Sequence, residues 1–491
     1  MFWSGVEVPQ EGTSSSFLQS LGVSFKHTPS NIKIVVVGGG LTGLIVADAL
    51  RSLGFDVTVL EGRGHRYGGR IDTKTNLVAG LWAEAGPEFL SPAHKFLIWH
   101  IKNLGLGLLE TSGMEESPFT PIVAGGDLDY AVVSREVLKV KNALVKRSQK
   151  YTFSPDFKGE EIEALDDDTL WSLIEGLNLE AKAEKFLQTH FEFENGIDPR
   201  KIGLLPYLLL VKSHGLGFFE NLEKYRLDGG MSRLTSILEI RLSGLIQRGA
   251  KIARIECLEG SSSCILEKSP GELEPRVIQG HEVILTVPPR LWLGGKLFGV
   301  SLTSELIPQM GDAIKVLIKV PSDFHIPTGI LPSAFLERDS LVQAIWEGGM
   351  GNVKSKRILT IMCGGSAAER MLKMQKSKII SQLISEIGRF CPEFNGLGLS
   401  EKDFYIKDWG RRTLTGCGYG CPGPYEFTDY RPDLLSQIPP NLHLSGEWES
   451  PEMWGYMEGA IRSALSAVLK ICFKYGAYIP NTLLDLMVLT K

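Results

Sequence analysis

Three things are scarce in this sequence. Seven cysteines are spread over 491 residues, no basic run interrupts the mixed charges, and no apolar run reaches the ~20 residues that a membrane span needs. The cysteines, at 257, 264, 363, 391, 417, 421 and 472, are odd in number and dispersed. That excludes a secreted disulfide framework and points to a reducing, cytoplasmic setting. Cys417 and Cys421 form a lone Cx₃C without a second ligand pair, so no metal is expected. A net charge of −5 without a basic patch argues against a nucleic-acid partner. Residues 1–31 lack the basic-then-apolar order of a signal peptide and read as a flexible leader. Residues 476–491 read as a C-terminal packing arm, because Pro480 and Asp485 interrupt their apolar character.

What is present is a long chain with 43% hydrophobic residues, enough for two or three cores. Ile34–Val37 is a continuous apolar run, as in a strand buried on both faces. Helical periodicity follows through Leu44, Ala47 and Leu50, Gly54 ends it, and a second strand runs over 56–60. The turn between them carries Gly38, Gly40 and Gly43, a GxGxxG. Its first glycine lets the chain turn, its second admits a pyrophosphate, and its third lets helix pack on strand. Phosphate charge then meets the amides of the helix N-terminus. Glu61 closes the second strand, where a carboxylate accepts ribose hydroxyls. The motif alone does not separate NAD from FAD. Directly behind it stand Arg63, Arg66 and the glycines before Arg70, placed for backbone and bidentate contacts to phosphate.

Further along, 160–224 reads as mainly helical, with Asp168 or Thr169 capping a helix through Trp171. Residues 240–290 read as strands, with turns at Gly260–Ser263 and Ser269–Leu273. Strands are expected over 313–320 and 357–363, and one helix from Ala367 to Phe390. No repeat or long linker separates domains, so they are expected to interleave.

Gly38–Gly43, Glu61 and Gly68–Arg70 together resemble the opening of the flavin-containing amine oxidases. The resemblance extends over 32–106, 226–320 and 405–470. It implies an α/β fold: a Rossmann-like FAD-binding domain with a parallel sheet (32–90, 225–290 and 405–475), interleaved with an α+β substrate-binding domain (91–224 and 291–404). It assigns Gly38, Gly40, Leu41, Thr42, Gly43, Glu61, Gly62, Arg63, Gly69 and Arg70 to FAD. Gly86, Pro87, Glu88 and Phe89 resemble the turn beside the flavin, and Ile252 the strand supporting the adenine end. Gly446 and Glu447, then Gly455, Tyr456 and Met457, resemble a second FAD contact at the start of a helix. The residue that carries covalent flavin in some members falls on Gly418, so noncovalent FAD is expected.

The implied reaction takes a hydride from the carbon next to the nitrogen of an amine or amino-acid-like substrate. Oxygen becomes hydrogen peroxide and water hydrolyses the imine. Tyr456 and Tyr419 match two rings that clamp the amine, although aromatics commonly fill core space. Lys315 matches a lysine at the flavin, with a solvated strand lysine as the competing reading. Phe89 stands where amino-acid oxidases place their substrate arginine, with the acid Glu88 before it, which favours an amine, amide-like or larger natural-product substrate; Glu88 is a candidate to steer a cation or act as base. Arg411 or Arg412 would keep a carboxylate substrate open. A same-fold desaturase acting on C–C bonds and a noncatalytic flavoprotein stay as alternatives. A homodimer is admitted and not required.

Overall fold

The computed structural model describes residues 3, 6–10, 16–111, 130–153, 157–219, 221–258, 260–268, 273–292, 306–326, 333–334, 340–351, 353 and 356–488. The expected turn over Ser269–Leu273 lies outside them except at its last residue, as do 112–129 and 293–305 within the substrate half.

The apolar run of Lys33–Val37 becomes the centre of a five-stranded parallel sheet. Asp56–Glu61 pairs on one side and Glu282–Leu285 on the other, with Ile246–Arg248 and Leu442–Leu444 at the edges. Strands from the beginning, middle and end of the chain thus share one sheet. Buried on both faces, the central strand needs apolar residues at consecutive positions, which Ile34–Val37 supply. The helices Leu41–Ser52 and Met457–Lys474 pack together on one face, sharing a core through residues such as Leu44, Ala47, Ile461, Ala464 and Leu465.

A second five-stranded sheet centres on Lys356–Gly364, and Ala313–Pro321 lies antiparallel between it and the edge strand Phe404–Asp408. Alternation sends Ile314, Val316 and Ile318 into a core with the helix Lys376–Phe390, while Leu317 packs into a different cluster and Lys315 shares its face. A third core joins the helices Tyr130–Lys150, Ala181–Asn195 and Leu204–His214. The cavity lies where this helical layer meets both sheets.

Three expectations change and one open choice is settled. The leader is anchored: Trp3, Phe17 and Leu18 are buried, the Trp3 amide donates to Glu452 at 2.8 Å and its indole N–H to Ser466 at 2.8 Å. Apolar side chains inside a polar segment supplied that anchorage. The helix 367–390 is two, Gly365–Leu372 and Lys376–Phe390, because extended backbone at Gln375 lets Met371 and Ile379 reach one core. The turn at Gly260 is tighter than four residues. Leu258 already pairs with Ser261, so Ser261–Ser263 belong to the returning strand. Thr169, rather than Asp168, caps Leu170–Glu175, its hydroxyl accepting from the Ser172 amide at 3.1 Å. Among the described residues no helix is long and apolar enough to cross a membrane.

Candidate active site

A cavity of about 530 Å³ runs from the glycine turn to the helical layer. Of the residues assigned to the cofactor, Gly38, Gly40, Leu41, Thr42, Glu61, Gly62, Arg63, Gly69 and Arg70 line it. So do Gly86, Pro87, Glu88, Phe89, Ile252, Glu447, Gly455, Tyr456 and Met457.

Gly43 and Gly446 stand behind the wall, and both are there for closeness of packing. A Cβ on Gly43 would lie 1.9 Å from the Gly38 carbonyl oxygen, and one on Gly446 2.2 Å from the Trp448 indole nitrogen. Gly446 thus seats Trp448. That indole meets Trp292 edge-on with ring centroids 4.8 Å apart.

The wall suits a dinucleotide. Helices Leu41–Ser52 and Met457–Lys474 both start at it, and neither start has a side-chain cap, so their first amides are available to an anion. Glu61 accepts from the Gly39 amide at 2.9 Å through one oxygen and from the Arg63 amide at 2.7 Å through the other. Each oxygen keeps a lone pair for a ribose hydroxyl. Arg63 also donates to Thr415 at 2.8 Å. The resemblance gives Arg70 to the phosphates, but its Nη1 donates to the Gly418 carbonyl at 2.7 Å and to Glu447. Glu447 accepts as well from the Gly420 and Gly455 amides at 3.1 and 3.3 Å. Arg70 and Glu447 thus lock the front motif to the back one. Cys417 is buried with its thiol pushed up to about 12 by burial, despite Arg70 nearby, which suits an inert side chain rather than an attachment point.

Beside this cradle sits a buried charge cluster. Lys315 Nζ is 2.8 Å from one Glu88 oxygen, Arg226 is 2.9 Å from the other, and the Trp346 indole donates to Glu88 at 3.1 Å. Lys315 is only 7% exposed, which rules out a solvated strand lysine. Burial would raise the Glu88 carboxyl, and the charges of Lys315 and Arg226 reverse this and hold it below the usual carboxylate range. With both oxygens engaged, Glu88 is unsuited to act as base or to draw in a cation; its partners already satisfy it. Arg226 also lies 4.6 Å from the Phe89 ring centroid.

Both cage tyrosines face the cavity. The Tyr419 hydroxyl donates to the Phe193 carbonyl at 2.9 Å. The Tyr456 ring packs 5.2 Å from His94 and 5.3 Å from His214. His94 Nδ1 accepts from the Ser91 amide at 3.1 Å, its Nε2 meets His214 Nε2 at 3.3 Å, and His214 Nδ1 meets the Leu210 carbonyl at 2.9 Å. Only two neutral rings satisfy that chain, and burial correspondingly lowers both histidines, His214 to about 4. Burial also pushes both tyrosines well above 10, so their phenols stay neutral.

Beyond the tyrosines the wall is built from residues no motif announces, including Phe186, His190, Glu194, Tyr207, Phe218 and Glu223. Trp454 joins them, its indole donating to the Pro206 carbonyl at 2.9 Å. Arg411 and Arg412 are exposed, engaged with Asp408, and absent from this wall. No described lysine or arginine lines this far end; those in the wall, Arg63, Arg70, Lys251 and Lys315, belong to the dinucleotide cradle and the Glu88 cluster.

A family model described as flavin containing amine oxidoreductase matches residues 41–472. The flavin-dependent L-tryptophan oxidase RebO of Lentzea aerocolonigenes is 23% identical over 89% of this chain and 98% of its own. A flavin-containing amine oxidase of Danio rerio is 21% identical over 91% of this chain and 87% of its own. Among solved structures, the cyclohexylamine oxidase of Brevibacterium oxydans IH-35A shares the fold with a TM-score of 0.75 at 18% identity, over 90% of this chain and 99% of its own.

Proposed function

Since a match of that extent places the chain in the flavin-containing amine oxidoreductase family, we propose that it oxidises an amine carrying no carboxylate. The chain is an FAD-dependent amine oxidoreductase with a Rossmann-like parallel sheet. FAD held in the cradle of Gly38, Gly40, Glu61 and the start of Met457–Lys474 would supply the acceptor for a hydride from the carbon next to nitrogen. The chain's own residues orient and desolvate. Tyr419 and Tyr456 offer neutral aromatic faces to the amine, and His94 and His214 hold the Tyr456 ring. Lys315, kept in place by Glu88, borders the same space. The aromatic wall excludes water, which favours the unprotonated amine that can give up a hydride. Oxygen as the final acceptor, with peroxide and an imine hydrolysed in water, completes the reading. The absence of an attachment residue at Gly418 supports noncovalent FAD, and seven free cysteines support a cytoplasmic setting.

The observation that carries the reading is the composition of the far end: aromatic rings and carboxylates, with no described cation to pair a substrate carboxylate. Anaerobic mixing of the flavin-loaded protein with primary alkylamines should bleach the oxidised flavin band, while L-amino acids should not. Bleaching by amino acids alone would reverse the assignment.

A further inference from the structure

We propose that Glu194 and Glu223 form a second cation subsite, so that the substrate is a diamine-class molecule whose distal ammonium sits against them. This rests on the amine reading above, with the reacting nitrogen between Tyr419 and Tyr456.

Glu194 lies in the last turn of Ala181–Asn195, where a helix dipole disfavours a carboxylate. It borders the cavity together with Tyr207, Tyr419 and Tyr456, whose phenols feel its charge. No described residue hydrogen-bonds to it or forms an ion pair with it, although it is enclosed by protein. Glu223 lines the same end and bears on it electrostatically. Burial, then Glu223, raises Glu194 to about 8, and burial raises Glu223 to about 7. Lys141 is the one cation found acting on Glu223, and its ammonium lies 5.5 Å from the Phe219 ring centroid. His190, lowered to about 3 by burial and then Lys141, is neutral and adds no charge.

Two enclosed carboxylates facing an apolar cavity are costly unless something cationic joins them. Phe186, Phe193, Leu210 and Phe218, which line the same cavity, suit a methylene chain. An ammonium at each end of such a chain meets aromatic faces at one end and carboxylate at the other. Binding ionises the pair, so it releases a proton to solvent near neutral pH.

The test compares n-alkylamines with α,ω-diaminoalkanes of equal length on the flavin-loaded enzyme, by anaerobic flavin bleaching. Proton release is read by calorimetry in two buffers of different ionisation enthalpy. The subsite predicts a diamine preference of at least tenfold, with more protons released on binding a diamine than on binding the monoamine of equal length. In Glu194→Gln and Glu223→Gln, whichever retains flavin, the diamine-to-monoamine ratio should fall towards one. Equal use of both series overturns the subsite while leaving the amine reading intact. So does a diamine preference that survives both substitutions. Failure of every amine to bleach the flavin overturns the amine reading itself.

Discussion

Replacing Glu88 by glutamine should be more damaging than replacing Lys315 by methionine, although both break the same 2.8 Å contact. Glu88 is 4% exposed and Arg226 1%. Its carboxylate answers two buried cations and one indole. Glutamine keeps the shape but offers one acceptor oxygen, so its amide N–H₂ must face Lys315 or Arg226. Two buried positive charges then lose their counter-charge, at a cost of about 3–5 kcal/mol. Methionine at 315 removes one cation and one bond, and leaves Glu88 paired with Arg226 and Trp346. That loss is about 1–3 kcal/mol. In the double variant the neutral amide no longer faces Lys315, so the combined loss should fall short of the sum by about 1 kcal/mol or more. Urea unfolding with FAD in fixed excess reads all three through midpoint and slope. A Glu88→Gln loss under about 1 kcal/mol, or strict additivity, would refute the cluster as a coupled unit. Acid should mimic the change. Because Glu88 is held below its ordinary range, its contribution is present above the unfolded pKa of 4.5 and is lost as pH falls through the folded value.

Alanine at Gly43 should abolish flavin retention, since its Cβ would sit 1.9 Å from the Gly38 oxygen; purified variant protein carrying a full flavin spectrum would contradict this. Stability without substrate should fall as pH rises from 6.5 to 8.5. Burial raises Glu84, Glu223 and Glu426 to about 7 and Glu194 to about 8, above their unfolded 4.5, so their contributions are complete below 4.5 and lost through the folded values. The melting temperature of Glu194→Gln should drop less over that window, and an equal drop would remove Glu194 from the account. Below 6.5 the buried His94, His100, His190 and His214 act the other way, being lowered by burial. Stability should therefore be nearly flat between pH 4.5 and 6.5, and a steep optimum inside that range would speak against these assignments. Turnover should show no inflection from Tyr419 or Tyr456 below pH 10, because burial holds both phenols neutral; a limb near 9 abolished by Tyr456→Phe would disagree.

The cofactor end was legible because backbone geometry dictates it. A pyrophosphate needs glycines where amides must come close, and those glycines stand in a local pattern between a strand and a helix. Gly43 must be glycine chiefly because of the Gly38 carbonyl, a neighbour in space and in sequence. Arg70 was visible for the same reason, but its partner was not. Its bond to Glu447 joins residues 377 positions apart, and no local pattern encodes such a pair. Glu88 is visible in sequence as a departure from the amino-acid-oxidase pattern, where nothing local reveals its partners. Only the fold brings Arg226 from a short strand and Lys315 from another sheet to neutralise it, turning a candidate base into a fixed counter-ion.

The substrate end follows a different logic. Its wall comes from side chains on Ala181–Asn195, Leu204–His214 and the loop before Tyr225. A helix can present almost any residue to a cavity without changing its own periodicity. Glu194 therefore looks, in sequence, like one more charge near a helix end. What marks it is a conflict visible only in three dimensions, a carboxylate facing a cavity shared with tyrosines at the wrong end of a helix dipole, with no hydrogen-bond or ion-pair partner among the described residues. Gly446, Arg411 and Arg412 each fit a role by position, and none of them lines the cavity. Sequence thus reports where the backbone must touch a cofactor, while substrate choice is written in side chains whose meaning depends on what faces them. Specificity should accordingly move when Glu194 or Glu223 changes, and flavin binding should move when Gly43 does; a Glu194→Gln variant that retained flavin and kept the diamine-to-monoamine ratio unchanged would break that division.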